Sequence, residues 1–156
     1  MIQYPTSMPS YAKNKYVHHD YEVLETIEAG LVLSGAETKA IRTETTRLKS
    51  SYISLRENEA WLVNAHIPRY RYAVPVPDYD PERPRKLLLS RKEIAYLQGK
   101  SAERGLTIVP LSIYTKGRHI KLEIGLSKGK KLHDKRADLK KRDITRDIRR
   151  DLKGRV

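Results

Sequence analysis

His119-Ile-Lys-Leu-Glu-Ile-Gly-Leu126 alternates without a break: Ile120, Leu122, Ile124 and Leu126 are apolar, while Lys121, Glu123 and Gly125 are not. Successive side chains on a strand point to opposite faces, so this run is a strand with one face in a core and one outside. Thr107–Tyr114, immediately upstream, reads as a second strand. Before it, Ser90-Arg-Lys-Glu93 has capping-box spacing and opens a helix with Ile94, Leu97 and Ser101 on one face, ended by Gly105. The stretch Arg69–Pro84, broken by Pro75, Pro77 and Pro81, is a loop.

Further upstream, Ser51–Arg56 and Ala60–Ile67 form a strand pair joined at Glu57-Asn58-Glu59. Ser34-Gly-Ala-Glu37 is another capping box, and a short helix through Ala40, Ile41 and Arg42 follows from it. Tyr21–Glu28 is strand-like, Ala29-Gly30 reads as a bulge or bend, and Leu31–Leu33 resumes the strand. Residues 1–13, with Pro5 and Pro9 and no periodicity, are expected to be disordered. The result is a mainly β chain with two short helices. That pattern suits a small β-barrel of the oligonucleotide-binding type, with an α+β sandwich as the alternative. Residues 14–127 form the module and 128–156 a basic tail.

The 156 residues carry a net charge of +13, and 38% of them are hydrophobic. Such a surface attracts polyanions. The charge is uneven. From Ser127 to Val156 there are 13 Lys and Arg against 5 Asp, a net of +8, whereas the other 126 residues hold a net of only +5. A folded body with a strongly cationic arm is the arrangement expected of an RNA-binding protein. The aromatics are ten Tyr and one Trp with no Phe, rings with a polar edge that suit wet interfaces and base stacking. There is no Cys for a disulfide or thiolate zinc site, no secretory leader and no apolar run of membrane-spanning length. The expected compartment is the cytoplasm.

In the tail, Ala137, Ile144, Ile148 and Leu152 lie on one thin helical stripe broken by Lys141. Arg142, Arg146 and Arg150 form an adjacent column, as do Asp143, Asp147 and Asp151. Repulsion within each column opposes the helix, so the tail is expected to be disordered alone and helical on a polyanion. Gly129, within Lys128-Gly-Lys-Lys131, leaves the backbone free to turn, so this segment reads as a hinge between the last strand and the tail or as a plain basic linker, and spacing alone favours neither.

Catalytic signals are weak. On a strand, His18, His19 and Asp20 would not converge on a metal, and no phosphate loop, nucleophile elbow or HExxH motif occurs. No metal and no cofactor are expected, and the chain reads as a non-enzyme. Glu37 is explained by capping. Glu28 is not, and a carboxylate beside Ala29-Gly30 could accept from the N–H groups of a splayed guanine.

Three motifs in order carry a family resemblance. Asn14-Lys15, His19-Asp20-Tyr21, Glu28-Ala29-Gly30 and Glu37-Thr38-Lys39 resemble the N-terminal half of small protein B. Asp80-Pro81 with Arg83 and Arg85-Lys86-Leu-Leu-Leu89 resembles its middle segment, and Lys128-Gly-Lys-Lys-Leu-His-Asp-Lys-Arg136 its tail signature. The resemblance implies an oligonucleotide-binding-type barrel that grips the tRNA-like domain of tmRNA (the SsrA RNA) and delivers it to stalled ribosomes for trans-translation. It also implies a tail that enters the empty mRNA channel and folds there. On that pattern Asn14, His19, Glu28, Leu88 and Lys121 fall where the barrel meets the RNA, with Lys15, Lys39, Arg42, Arg85, Lys86 and Lys128 as further contacts. Asp134, Lys135 and Arg136, with Lys130, Lys131 and His133, fall where the tail meets the decoding region of the small subunit. The implied partners are tmRNA and the stalled ribosome, with elongation factor Tu a candidate in the delivery complex. No membrane is involved, and the chain is expected to be a monomer. The competing reading is a ribosomal protein with an oligonucleotide-binding fold.

Overall fold

A computed structural model describes residues 10–75, 77–103 and 105–130. Its strands are β1 (Ser10–Lys13), β2 (Tyr21–Leu31), β3 (Tyr52–Arg56), β4 (Glu59–Val63), β5 (Arg85–Leu88), β6 (Leu106–Lys116) and β7 (His119–Gly129). The helices are α1 (Val17–Asp20), α2 (Gly35–Thr43) and α3 (Arg91–Ser101). The strands form one antiparallel sheet in the order β1-β6-β7-β2-β5-β4-β3. The sheet curls until β3 comes against β6 with no ladder between them, so the barrel is not closed.

The alternation read from β7 holds. Ile120, Leu122, Ile124 and Leu126 are buried and Lys121 and Glu123 are not. Ile113 on β6, Leu62 on β4, Leu87 on β5 and Leu97 on α3 complete the floor of the core. Both capping boxes form: the Ser34 hydroxyl accepts from the Glu37 amide, and the Ser90 hydroxyl from Glu93, each at 3.1 Å. The β3–β4 turn places Glu57 and Asn58 at φ +49° and +62°, the backbone that a two-residue hairpin needs.

Several expectations are corrected. α3 ends at Ser101 with Ala102 as its C-cap, short of Gly105, and β4 runs Glu59–Val63, not to Ile67. Ser10–Lys13 is not a structureless lead but β1, paired with β6, so the folded body starts before residue 14. Val17–Asp20 is a turn of helix. Arg85–Leu88 is a strand inserted between β2 and β4. The break in β2 lies between Val23 and Glu25, not at Ala29-Gly30. Gly30 instead sits flat between two strands, where an added Cβ would come within 3.1 Å of the Leu88 Cβ. Finally, Lys128 and Gly129 lie within β7, with Gly129 paired to Tyr21, so neither is a hinge. The Lys130 amide extends this tie by donating to the Asp20 carbonyl at 3.0 Å. The expectations for residues 1–9, for the tail helix and for Lys131, His133, Asp134, Lys135 and Arg136 lie outside the described residues.

Candidate nucleic-acid interface

Cross-strand partners share a face, and the row across the outer face of the sheet runs Tyr114 (β6), Lys121 (β7), Gly30 (β2), Leu88 (β5), with Tyr114 and Gly30 themselves covered. Leu88 is 57% exposed, a large apolar side chain held out from the surface beside Lys121. Gly30 makes this possible, because Leu88 leans across a position where any other residue would stand. Glu28 lies two residues before Gly30 on the same face.

The Glu28 carboxylate is organised by its neighbours. Tyr114 donates its hydroxyl to Oε2, and Lys116 reaches Oε1 at 3.5 Å. The Tyr114 hydrogen bond, aided by the Lys116 and Lys121 charges, outweighs partial burial and holds Glu28 below the usual carboxylate range. Glu28 is therefore an anion at neutral pH with lone pairs available for a donor edge, set between cations that suit phosphates. Arg42, exposed on α2, donates to the Arg118 carbonyl at 3.3 Å and so belongs to the same end of the sheet. Lys39, also exposed on α2, lies 5.9 Å from the ring centre of Tyr70. On β5, Lys86 meets Glu59 at 3.1 Å.

The remaining candidates gather at the opposite end of β2. Asn14 is fixed by its side-chain amide donating to the Pro110 carbonyl and by its backbone amide donating to Leu111. It lines a groove with Tyr16, His19 and Lys49, in which the Lys49 ammonium stands 5.5 Å from the Tyr16 ring. His19 meets Asp20 through Nδ1 at 3.1 Å, in a helical turn rather than on the strand expected for it. Lys15 is exposed nearby, Lys128 is exposed opposite Glu22, and Lys130 donates to the His18 carbonyl at 2.7 Å. From Glu22 to Gly30 along β2 is about 26 Å at the usual strand rise. The candidates thus form two patches, not one. Among the described residues no group of His, Asp and Glu is placed to hold a metal, and no helix is long and apolar enough to cross a membrane.

Arg85 is the correction within the site. It was expected on the RNA surface, yet it is fully buried: its guanidinium donates to Glu37, to the Ala65 carbonyl and to the Tyr79 hydroxyl. Glu37, expected only to cap α2, also accepts from Arg83 and from Arg85. Burial pushes the Glu37 carboxyl up, but bonds from Arg83, the Ser34 amide and Arg85 win and hold it low. Two residues escaped the sequence reading, Tyr114 and Lys116. The period-2 pattern of β6 places both on one face, but only the pairing with β7 and β2 brings that face to Glu28.

The family described as "SmpB protein" matches residues 11–154. The "SsrA-binding protein" of Chloroflexus aggregans is 48% identical over 145 residues, covering 93% of this chain and 92% of that one. The protein of the same name from Prochlorococcus marinus is 51% identical over 142 residues, covering 91% of this chain and 81% of that one. A chain in the solved structure described as "tmRNA-SmpB: a journey to the center of the bacterial ribosome" superposes with a TM-score of 0.64 at 40% identity, over 77% of this chain and 84% of that chain.

Proposed function

Because the chain belongs to the SmpB protein family, we propose that it binds the tRNA-like domain of tmRNA through its barrel and delivers that RNA to stalled ribosomes. The observation that carries this reading is the outward row Lys121–Gly30–Leu88 with Glu28 beside it, where phosphate-seeking cations flank an apolar contact and a base-reading carboxylate. Relatives bearing the name SsrA-binding protein, along nine-tenths of this chain, support it. Separation of the candidates into two patches suits a folded RNA that presses on the body at two places.

The chain acts as an adaptor. The body supplies shape recognition of one RNA, and the cationic segment after Lys130 supplies contact with the decoding region and mRNA channel of the small subunit. No covalent step belongs to the protein, which works in the cytoplasm as a monomer, with elongation factor Tu in the delivery complex.

Capture of the protein from a lysate, followed by sequencing of the RNA it holds, tests the partner. A dominant tmRNA signal is expected, and its absence overturns the reading. Recovery in equal amount with every ribosome would instead mark a structural ribosomal protein. Replacing Asp134, Lys135 and Arg136 together by Ala is expected to leave tmRNA affinity nearly intact while abolishing peptide tagging. An equal collapse of both would refute the division of labour.

A further inference from the structure

We propose that the outer face of β3, β4 and β5, centred on Trp61, is a stacking platform for an unpaired base of the RNA that the body binds. This rests on the RNA-binding reading and adds to it a contact at which a base is held. Trp61 pairs with Ser54 on β3 and with Lys86 on β5, and all three face outward, since Ile53, Leu62 and Leu87 on the alternate positions are buried. Trp61 lines a groove of about 390 Å³ with Ser54, Arg56, Glu57, Glu59 and Val63.

Three features make a base the fitting occupant. The first is continuity: Lys86, the cross-strand partner of Trp61, stands two residues before Leu88 on the same face of β5, so Trp61 and the Lys121–Leu88 row lie on one continuous face. Val32, 46% exposed, adjoins Lys86, since its amide donates to the Lys86 carbonyl. The second is charge. Arg56 lines the groove and Lys86 is the cross-strand neighbour of Trp61, and the Lys86–Glu59 pair, 42% exposed on both sides, is weak enough for a phosphate to displace. The third is the edge of the groove. Glu57 and Glu59 repel phosphate but accept from base N–H groups, so the base lies over the ring and the backbone runs on the Lys86 side. An aromatic face beside a cationic track is how unpaired strands are gripped.

Trp61 is the chain's one tryptophan, so its emission reads this groove alone. The full chain is titrated with the end-labelled tRNA-like domain, following anisotropy of the label and Trp61 emission together. Saturating RNA is expected to quench Trp61 and shield it from acrylamide, and a blunt-ended, fully paired two-strand RNA duplex is expected not to. Trp61→Phe should bind within about twofold of the parent, while Trp61→Leu, apolar but unable to stack, should bind about tenfold more weakly. Should Trp61→Leu fail to fold, the emission of the unaltered protein still decides. If the label reports binding while Trp61 emission and shielding stay unchanged, or if the blunt duplex quenches equally, the platform is not used. If the label reports no binding at all, the RNA-binding reading itself fails.

Discussion

Arg85 donates from Nε to Glu37 at 2.8 Å in the interior, with the arginine 0% and the glutamate 1% exposed. The pair joins the start of α2 to β5, and so sets the helix carrying Lys39 and Arg42 against the strand carrying Leu88. Removing one member leaves a buried charge short of its partner. Arg85→Met should therefore cost about 3–5 kcal/mol in denaturant unfolding. Glu37→Gln/Arg85→Met should cost less than the sum of the two single changes, because the second removes the charge that the first stranded. Additive losses would show that the two side chains are not coupled.

Glu37 also predicts an acid limit. Its carboxyl lies below the usual value of 4.5 when folded, so the native state binds fewer protons than the unfolded one as pH falls. Its contribution is complete above about pH 4.5 and is lost as pH drops through the folded value. Glu28 acts in the same direction, but its greater exposure makes its share small. Thermal melts between pH 7 and pH 3 should show the parent falling steeply at the acid end and Glu37→Gln, already less stable, falling with a flatter slope.

Leu88 and Lys121 sit in one row yet should fail differently. On the proposed interface Lys121→Ala loses a phosphate contact and should lower the slope of log affinity against log salt by about one. Leu88→Ala removes exposed apolar contact and should weaken RNA binding with the slope unchanged. RNA titrations at several salt concentrations separate the two, and equal slopes for both variants would refute the assignment.

Gly30→Ala tests how Leu88 is presented. The new Cβ would stand 3.1 Å from the Leu88 Cβ and 3.3 Å from its Cδ1, so β5 or the leucine must give by a few tenths of an ångström. RNA affinity should drop while the melting temperature moves by only a few degrees. A large loss of stability with full affinity per folded molecule would mean that Gly30 serves the sheet and not the interface.

Local signals were legible wherever the physics is local. The Ser34–Glu37 and Ser90–Glu93 boxes and the alternation of β7 depend on residues a few positions apart and formed as read, and so did the hairpin, except that Glu59 opens β4 and leaves a turn of two residues, Glu57 and Asn58. What escaped depends on partners far along the chain. β5 reads poorly because Arg85 occupies an inward position, and nothing nearby reveals that Glu37, 48 residues earlier, neutralises it. Gly30 reads as a bend until Leu88 is known to lean over it. β1 and α1 are four residues each, too short for either period to register. The candidate site follows the same rule. Its residue types were visible, but their grouping at two ends of β2, and the withdrawal of Arg85 into the core, are properties of strand pairing.

β7 ends beside the beginning of β2, where Lys130 is tied to His18 and Asp20. β7 therefore runs out at the opposite end of the β2–β7 ladder from Lys121 and Gly30, the partner of Leu88. The long β2–β7 ladder acts as a ruler whose length sets the interval between the Lys121–Leu88 patch and the root of the cationic segment. Adding two residues to each strand would preserve every side chain's face and lengthen that interval by about 7 Å. A partner that measures distance would register the change even with all its contact residues intact.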